Sequence, residues 1–226
     1  MIEVSVVRPA EVSPERIEEL ASFLLPEEKE RQARFVSAEL RREYLVTRVL
    51  ARWSLSVFVP GVRPEAWTFA RTESHRPFVT SRDGLDFNLS NTPWLVACAV
   101  STGRVGLDVE LLARGDDVLE VASWCFSDEE LDGLFALPIV ERRVRAVELW
   151  TLKESYVKAL GDGISAPLRA ITFRPSDPTS GAETSLWHVV GQDPWVFELR
   201  HLHGHAVAVA GKDGHEIVFR ETSLRP

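Results

Sequence analysis

The sequence predicts an α+β fold of two similar subdomains in a pseudo-twofold arrangement, each a long helix packed on a small antiparallel sheet. A long stretch with helical apolar spacing occurs twice, over residues 37–58 and 139–160, and short alternating segments follow each of them. The two long helices begin roughly a hundred residues apart, although no residue-level repeat relates them. This order predicts subdomains 1–103 and 104–226, with a cleft between them.

The first half begins with the alternation of a strand at residues 2–8. Ser13 and Pro14 open a helix, because serine caps a helix and proline suits its first turn. Pro26 starts a short charged helix, and Ser37 caps the long one. Four strands are predicted after it, at about 66–71, 77–80, 86–89 and 94–101.

The second half repeats this order. It has a strand at 105–111, a helix at 116–124, and the sequence SDEE at 127–130, which is a capping box for a further short helix. The long helix 139–160 is predicted to end at Gly161, Asp162 and Gly163. Strands are predicted near 170–173, 186–190, 195–201, 205–210 and 215–220.

Composition narrows the possible functions. The net charge of −8 argues against a general nucleic-acid binder, because phosphate contacts need a dense basic surface. The N-terminal segment lacks the pattern of a signal peptide, and the longest uncharged apolar run, near 94–100, is far too short to span a membrane. Cys98 and Cys125 form no CxxC pair and suit buried thiols in a reducing compartment. We therefore expect a cytoplasmic protein without nucleic-acid or membrane partners.

Two carboxylates share one face of the strand VGLDVEL. Asp108 and Glu110 are two residues apart, so their Cα atoms lie about 6.5 Å apart on the same side. A hard cation such as Mg²⁺ would use both of them. A solvated edge strand is the alternative interpretation. The opposite face is apolar and carries Val105, Leu107, Val109 and Leu111.

The second long helix ends in a polar stretch of its own, LWTLKESYVKALGDG, which holds two of the four lysines in a chain with 22 arginines. Trp150, Glu154 and Lys158 follow i, i+4, i+8 spacing and share one helical face. Glu154 can complete a three-carboxylate site or act as a general base, and Lys158 can neutralise a phosphate. The alternative is a Glu–Lys surface pair worth roughly 0.3–0.5 kcal/mol.

Taken together, GLDVE (106–110) and WTLKESYVK (150–158) resemble the motif pair of the 4'-phosphopantetheinyl transferase superfamily. The chain length is similar to that of its two-lobed, monomeric, surfactin-type subgroup. Other segments resemble the family pattern too: LLPEEKERQARF at 24–35, HRP at 75–77, FNLSN at 87–91 and CFSDEEL at 125–131.

The resemblance implies a Mg²⁺-dependent transfer of the phosphopantetheine arm of coenzyme A. The acceptor is a serine of an apo acyl, polyketide or peptidyl carrier protein, and the other product is adenosine 3',5'-bisphosphate. Asp108, Glu110 and Glu154 would hold the metal, and Glu154 would take the serine proton. Lys158 would stabilise charge on the phosphoryl oxygens, and Lys153 would meet a phosphate or help to close the cleft.

The same resemblance places the nucleotide end of coenzyme A on basic residues of the first half. Arg31 and Arg76 occupy basic positions of the family pattern, with Pro77 after Arg76, and Arg48 is a further candidate for the 3'-phosphate. Ser90 is retained from the pattern. The alternative for the arginine stripe is a solvated face in which Arg41, Arg48 and Arg52 pair with Glu39 and Glu43.

Two positions depart from the family pattern. Glu28 stands where some relatives have a lysine, and Asn91 stands where the family has a histidine that contacts a phosphate of coenzyme A. Asparagine keeps a hydrogen-bond donor but carries no charge. We therefore predict weaker binding of coenzyme A without loss of the chemistry.

Two rival functions remain open from the sequence. His201, His203 and His205 alternate in HLHGH and would share a strand face, as in a zinc hydrolase. A degenerate protein that binds coenzyme A or a carrier without transfer is the second rival. For carrier docking, the candidates are the segment 112–135 and its apolar Trp124, Cys125 and Phe126.

Overall fold

A computed structural model describes residues 1–161, 167–176, 184–191, 194–212 and 216–224. The chain divides into two compact units, Met1–Gly103 with Glu216–Pro226, and Arg104–His215. Each unit packs helices on an open sheet, so the predicted α+β class is confirmed. Within the described residues, no helix has the length and apolar character needed to cross a membrane.

Among its described residues, the first unit contains three α-helices, one of them long, and six strands. Its elements are β1 (Ile2–Val7), α1 (Pro14–Ala21), α2 (Pro26–Ala33), α3 (Ala38–Phe58), β2 (Phe69–Arg71), β3 (Pro77–Val79), β4 (Asp86–Asn91), β5 (Val96–Ser101) and β11 (Ile217–Glu221). Strands β11, β1, β5 and β4 form one sheet in that order, and β2 and β3 form a separate two-stranded sheet.

Local sequence explains where these helices begin. The hydroxyl oxygens of Ser13 and Ser37 accept hydrogen bonds from the backbone N–H groups of Arg16 and Leu40, which caps α1 and α3. Helix α3 then buries a continuous apolar face against β5. The core of this unit therefore lies between its long helix and the middle of its sheet.

The last strand corrects the predicted domain boundary. Residues 216–224 were expected in the second subdomain, but β11 pairs with β1, and Ile2 lies opposite Ile217. This pairing is parallel, whereas the neighbouring pairs are antiparallel. Alternation along a strand shows that one face is buried but does not identify the partner strand, so the sequence could not reveal this return to the first sheet.

The second unit is an antiparallel sheet covered by a long helix. Its elements are β6 (Val105–Leu111), α4 (Gly115–Cys125), α5 (Asp128–Phe135), α6 (Ile139–Leu160), β7 (Phe173–Pro175), β8 (Thr184–Val189), β9 (Trp195–Leu202) and β10 (His205–Lys212). The strand order is β6, β10, β9, β8, β7. Helix α6 packs against both β6 and β10, at one edge of the sheet.

Capping signals again locate the helix ends. Ser127 and Glu130 form the predicted capping box of α5, and Gly161 ends α6 with φ 84°, a conformation that favours glycine. Asp162 and Gly163, predicted as part of the same stop, lie outside the described residues, as does residue 215 of the last predicted strand. The strand predicted at 170–173 is instead a 3₁₀ turn over Leu168–Ala170 followed by β7.

Candidate active site

A glycine brings strand β6 into direct contact with helix α6. A Cβ atom built on Gly106 would lie 1.9 Å from the backbone oxygen of Ser155 and 2.6 Å from the backbone nitrogen of Ala159. Asp108 and Glu110 share this face of β6 and therefore face the helix as well. Although β6 is an edge strand, Asp108 is only 4% exposed, so the alternative of a solvated acidic edge is wrong.

Helix α6 meets these carboxylates with two donors from the face predicted for it. The ammonium group of Lys158 donates to Oδ1 of Asp108 at 2.6 Å. The indole Nε1 of Trp150 donates to Oε1 of Glu110 at 3.2 Å. Lys158 is thus paired with a buried carboxylate on another element and is not merely half of a surface pair on its own helix.

Glu154 lies between these two donors on the same helical face, and it is half-buried. Burial raises the pKa of Glu154, and the nearby carboxylates of Asp108 and Glu110 raise it further, while Lys158 opposes the shift. A carboxyl group whose pKa is raised in this way holds a proton more readily, which is the property a general base near neutral pH requires.

The three carboxylates share one electrostatic neighbourhood, yet they do not form a ready-made metal cage. Among the described residues, no group of three or more histidine, cysteine, aspartate or glutamate side chains is arranged to hold a metal ion. Oδ1 of Asp108 and both oxygens of Glu110 accept hydrogen bonds from side-chain donors instead, including one from Nη1 of Arg114 at 2.6 Å from Glu110. The donor chemistry nevertheless fits a hard divalent cation, because clustered carboxylates repel until positive charge lies among them.

Lys153, predicted to meet a ligand phosphate, is a structural residue. Its side chain is fully buried and its three donors have three acceptors: Glu130 at 2.8 Å, the carbonyl oxygen of Leu168 at 2.9 Å, and that of Ile171. Burial lowers the pKa of Lys153, and Glu130 opposes that shift. The prediction for Lys153 is therefore wrong, since no donor remains for a ligand.

The three histidines of HLHGH do not share a strand face. His201 lies in β9 and His205 starts β10, while His203 and Gly204 form the two-residue turn between them, with φ values of 50° and 75°. His201 contacts Glu148 at 2.9 Å, and Nδ1 of His205 lies 2.8 Å from the carbonyl oxygen of His203. The predicted zinc face is therefore wrong, because the turn interrupts the alternation on which it depended.

The first unit contains a cavity of about 770 Å³, here called the basic cavity, whose lining includes five arginines and three glutamates. The predicted residues Arg31, Arg48 and Pro77 line it, as do Arg34 and Arg71, which the sequence analysis did not select. Arg34 lies in LLPEEKERQARF at 24–35, which resembles the family pattern. Arg71 lies opposite Pro77 in the β2–β3 pair. In a chain with 22 arginines, only tertiary contacts distinguish these two from the others.

Arg48 carries the strongest electrostatic signature of this cavity. Its guanidinium lies 5.4 Å from the centre of the Tyr44 ring. Burial lowers the pKa of Arg48, and the neighbouring cations Arg71 and Arg31 lower it further, although Tyr44 and Glu28 oppose the shift. Its Nε is buried and has no hydrogen-bond partner among the described residues. An anion in the cavity would satisfy both the charge and this donor.

Comparison with known proteins identifies the family. The model of the 4'-phosphopantetheinyl transferase superfamily matches residues 104–210, and that of the 4'-phosphopantetheinyl transferase N-terminal region matches 11–103. The chain is 31% identical over 188 residues to 4'-phosphopantetheinyl transferase HetI of Nostoc sp. (strain PCC 7120), covering 80% of this chain and 78% of that one. The chain belongs to the 4'-phosphopantetheinyl transferase superfamily.

Two further sequence relatives, Sfp and gsp, agree with this assignment. The transferase is 30% identical to 4'-phosphopantetheinyl transferase Sfp of Bacillus subtilis (strain 168), covering 72% of this chain and 71% of that one. It is also 30% identical to 4'-phosphopantetheinyl transferase gsp of Aneurinibacillus migulanus, covering 75% and 70%. The crystal structure of Thermotoga maritima holo-[acyl-carrier-protein] synthase aligns with 47% of this chain and 60% of that one, at 22% identity and a TM-score of 0.36.

Two further predicted ligands of the transferase are already engaged within the protein. Arg76 donates to both carboxylate oxygens of Asp86, at 2.9 and 2.7 Å, and lies outside the lining of the basic cavity. The side-chain amide of Asn91 donates to Glu43. Burial raises the pKa of Glu43, and the bond from Asn91 opposes that shift. Ser90 is 7% exposed in the same strand.

The alternative of a solvated arginine face on α3 is wrong for Arg52 and for the predicted pairs with Glu39 and Glu43, whereas Arg41 is exposed. Arg52 is 1% exposed and pairs with Glu28 at 3.1 Å, which gives the unusual glutamate of the transferase a structural role. Arg41 donates to the carbonyl oxygens of Val36 and Ser37 near the start of α3. The expected partners Glu39 and Glu43 bond to Ser37 and Asn91 instead.

The three residues suggested for carrier docking have different exposures. Trp124 is 81% exposed at the end of α4, whereas Cys125 and Phe126 are buried in the core of the second unit. Of these three residues, only Trp124 presents an exposed apolar side chain that a carrier protein could contact.

Proposed function

We propose that this transferase moves the 4'-phosphopantetheine arm from coenzyme A to a serine of an apo carrier protein, with Mg²⁺ as the metal. The observation that carries the proposal is the polar contact between β6 and α6, where Lys158 pairs with the buried Asp108 beside Glu154. In a helix-on-sheet interface such groups are costly to bury, so their retention favours a catalytic role over a structural one.

The reaction replaces the phosphoanhydride bond of the diphosphate by a phosphoester bond to serine. The serine oxygen of the carrier forms a bond to the phosphorus that bears the pantetheine group, and the bond from that phosphorus to the bridging oxygen breaks. Adenosine 3',5'-bisphosphate leaves with the electron pair. Asp108, Glu110 and Glu154 would hold Mg²⁺, which when bound polarises the diphosphate and neutralises its charge.

Glu154 is proposed as the group that accepts the serine proton. Its raised pKa makes it more basic than an ordinary glutamate, and its half-buried position keeps it accessible to an acceptor. Lys158 is proposed to hold negative charge on the phosphoryl oxygens, since its side chain is 31% exposed and its ammonium already lies at the carboxylate site.

The basic cavity of the first unit is proposed to hold phosphates of the nucleotide end. Arg48 supports this assignment because its buried Nε is unsatisfied and its charge is poorly solvated. Arg31 and Pro77 line the same cavity. Arg76, Ser90 and Asn91 are kept as nucleotide-binding candidates from the family pattern, with Arg76 needing to share its guanidinium with Asp86.

Mass spectrometry of a carrier protein tests the activity. Apo acyl, polyketide and peptidyl carriers would each be incubated with the transferase, coenzyme A and Mg²⁺, and at least one is expected to gain the mass of a phosphopantetheine arm. Asp108→Asn should lower the rate by at least about a hundredfold. Asp116→Asn is the matched control, because Asp116 is exposed and pairs with Arg143. Absence of a mass gain with every carrier would favour the degenerate binder.

The contribution of Asn91 is tested separately. Asn91→His would place a ring that can be protonated beside Glu43, and we expect KM for coenzyme A to fall by about threefold at slightly acidic pH, with kcat retained. An unchanged KM would show that position 91 does not limit binding of coenzyme A.

A further inference from the structure

Both strand carboxylates are already neutralised by side chains of the protein. Lys158 Nζ lies 2.6 Å from Oδ1 of Asp108, and Arg114 Nη1 lies 2.6 Å from Oε2 of Glu110. Each pair combines a well-buried carboxylate with a more exposed cation: side-chain exposures are 6% and 31% in the first pair, and 16% and 44% in the second. The carboxylates are thus fixed in place, while their partners have room to move.

Arg114 contacts the proposed metal site without being one of its proposed ligands. It ends the 3₁₀ turn Leu112–Arg114, which follows β6 directly, and it is four residues after Glu110. It also approaches Asp117 at 3.6 Å. The hydrogen bond from its Nη1 to Oε2 of Glu110 holds the guanidinium at this carboxylate. Asp117 offers an exposed carboxylate to which Arg114 can turn when Glu110 is otherwise engaged.

We propose that Arg114 and Lys158 are internal counter-ions that occupy Glu110 and Asp108 in the metal-free enzyme, and that a divalent cation binds tightly only when the diphosphate of the substrate draws them away. This inference rests on the proposed function of the site. Arg114 is thereby a positioning residue, which keeps Glu110 aligned before the metal binds and releases it afterwards.

Competition for oxygen atoms supplies the physical reason. A guanidinium or ammonium group repels a divalent cation and competes with it for the negative charge of the same carboxylate, so closed pairs at Glu110 and Asp108 lower the affinity for the metal. A diphosphate offers the released cations new acceptors. By linkage, a substrate that strengthens metal binding is itself bound more tightly in the presence of the metal.

The remaining groups at the site agree with this competition. Trp150 donates to the other oxygen of Glu110 and carries no charge, so it does not need to leave. Glu154 lies on the same helical face as Trp150 and Lys158, so three carboxylates at this site stand against two internal cations and leave a net negative charge. Positive charge is therefore favoured at the site, and the two counter-ions determine how favourable the binding free energy of a metal ion is.

Binding of Mn²⁺, followed by electron paramagnetic resonance, tests the inference without catalysis. The dissociation constant for Mn²⁺ would be measured with and without coenzyme A, in the absence of any carrier, for the wild type, Arg114→Gln, Lys158→Met and Arg143→Gln. Arg143 is the matched control: its side chain adjoins Gly115, next to Arg114, but pairs with the exposed Asp116. It therefore removes a nearby charge without touching the carboxylates of the site.

We expect coenzyme A to tighten Mn²⁺ binding to the wild type by at least about tenfold. Without coenzyme A, Arg114→Gln should tighten it by about threefold, as expected for a partly exposed pair, and Lys158→Met by about tenfold. Arg143→Gln should leave it unchanged within about twofold. With coenzyme A bound, Arg114→Gln and the wild type should bind Mn²⁺ almost equally.

The failures of the inference and of the proposed function can be told apart. If Mn²⁺ binds with coenzyme A but Arg114→Gln behaves like Arg143→Gln without it, the counter-ion inference is overturned and the metal site stands. If no variant binds Mn²⁺ with coenzyme A, the metal site fails as well. Should Lys158→Met fold poorly by circular dichroism, Arg114→Gln decides alone, because Arg114 is largely exposed.

Discussion

Helix α6 presents two regions that use the same side chain in opposite ways. Lys153 is fully buried and gives all three donors to Glu130 and to two backbone carbonyls. Lys158 lies five residues later, remains 31% exposed, and meets Asp108 at the polar contact with β6. Both lysines belong to one short motif, so residue type does not decide their roles. Their surroundings do: a saturated ammonium stabilises the fold, and an accessible one is available to a ligand.

The buried region ties separate parts of the second unit together. Glu130 accepts hydrogen bonds from the backbone N–H groups of Ser127 and Phe173 while it pairs with Lys153. One carboxylate therefore links the start of α5, helix α6 and the start of β7. At the region that faces β6, Asp108 pairs with the partly exposed Lys158, and Glu110 pairs with the exposed Arg114. The same helix thus carries a buried anchor and, farther along, the site whose ion pairs we propose to change on binding.

The largest expected effect comes from breaking the anchor. Lys153→Met should lower the free energy of unfolding by about 3–5 kcal/mol, because Glu130 keeps its charge inside the core without a cationic partner. Urea unfolding followed by circular dichroism would measure this. The double variant Lys153→Met with Glu130→Gln should recover part of the loss, since it removes the unpaired charge. A single variant as stable as the wild type would contradict the structural role.

Lys158→Met tests the role of the partly exposed lysine of α6. We expect kcat to fall by about 10²–10³-fold, because the ammonium no longer meets charge that develops on the phosphoryl oxygens. The free energy of unfolding should change far less than in Lys153→Met, since Lys158 is partly exposed. Carrier modification measured by mass spectrometry and urea unfolding of the same samples would separate the two effects. Equal losses of stability in both variants would remove the distinction between the two faces.

Gly106→Ala tests whether close contact between β6 and α6 is needed at the exchangeable face. The new methyl group would lie 1.9 Å from the backbone oxygen of Ser155, so the strand or helix must shift, and we expect a loss of about 3 kcal/mol in the free energy of unfolding. Gly133→Ala is the matched control. Gly133 lies in α5 with nothing within 4 Å of a new Cβ, so that variant should be more stable by about 0.5–1 kcal/mol.

Much of this comparison could be predicted from the sequence. Alternation gave the phase of β6, helical spacing placed Trp150, Glu154 and Lys158 on one face, and the capping box SDEE marked the start of α5. These signals are local, because each depends on residues a few positions apart. Their meeting across β6 and α6 followed from the family resemblance and not from spacing.

The errors arose where the outcome depends on distant partners. Lys153 had the spacing of a ligand, but Glu130 and two carbonyl groups from other elements saturate it. The histidine alternation met a turn at His203. Arg114 gave no signal in a chain rich in arginine, since only its contact with Glu110 distinguishes it. Long-range pairing of this kind leaves no periodic trace in the sequence.

The smallest expected effect concerns the charge of Glu154. Folding raises the pKa of Glu154, so its protonated form stabilises the folded protein. This contribution to the free energy of unfolding is fully present below the ordinary pKa of glutamate, about 4.3, and is lost as pH rises through the higher pKa of the folded state. The Glu154→Gln variant has no ionisable group at this position, so its free energy of unfolding does not fall in this way as pH rises. In metal-free buffer with chelator, the variant should melt about 2 °C above the wild type at pH 7–8, and the difference should shrink toward pH 4. A melting difference that grows on acidification would mean that the internal counter-ions, and not repulsion, dominate the carboxylate face of α6.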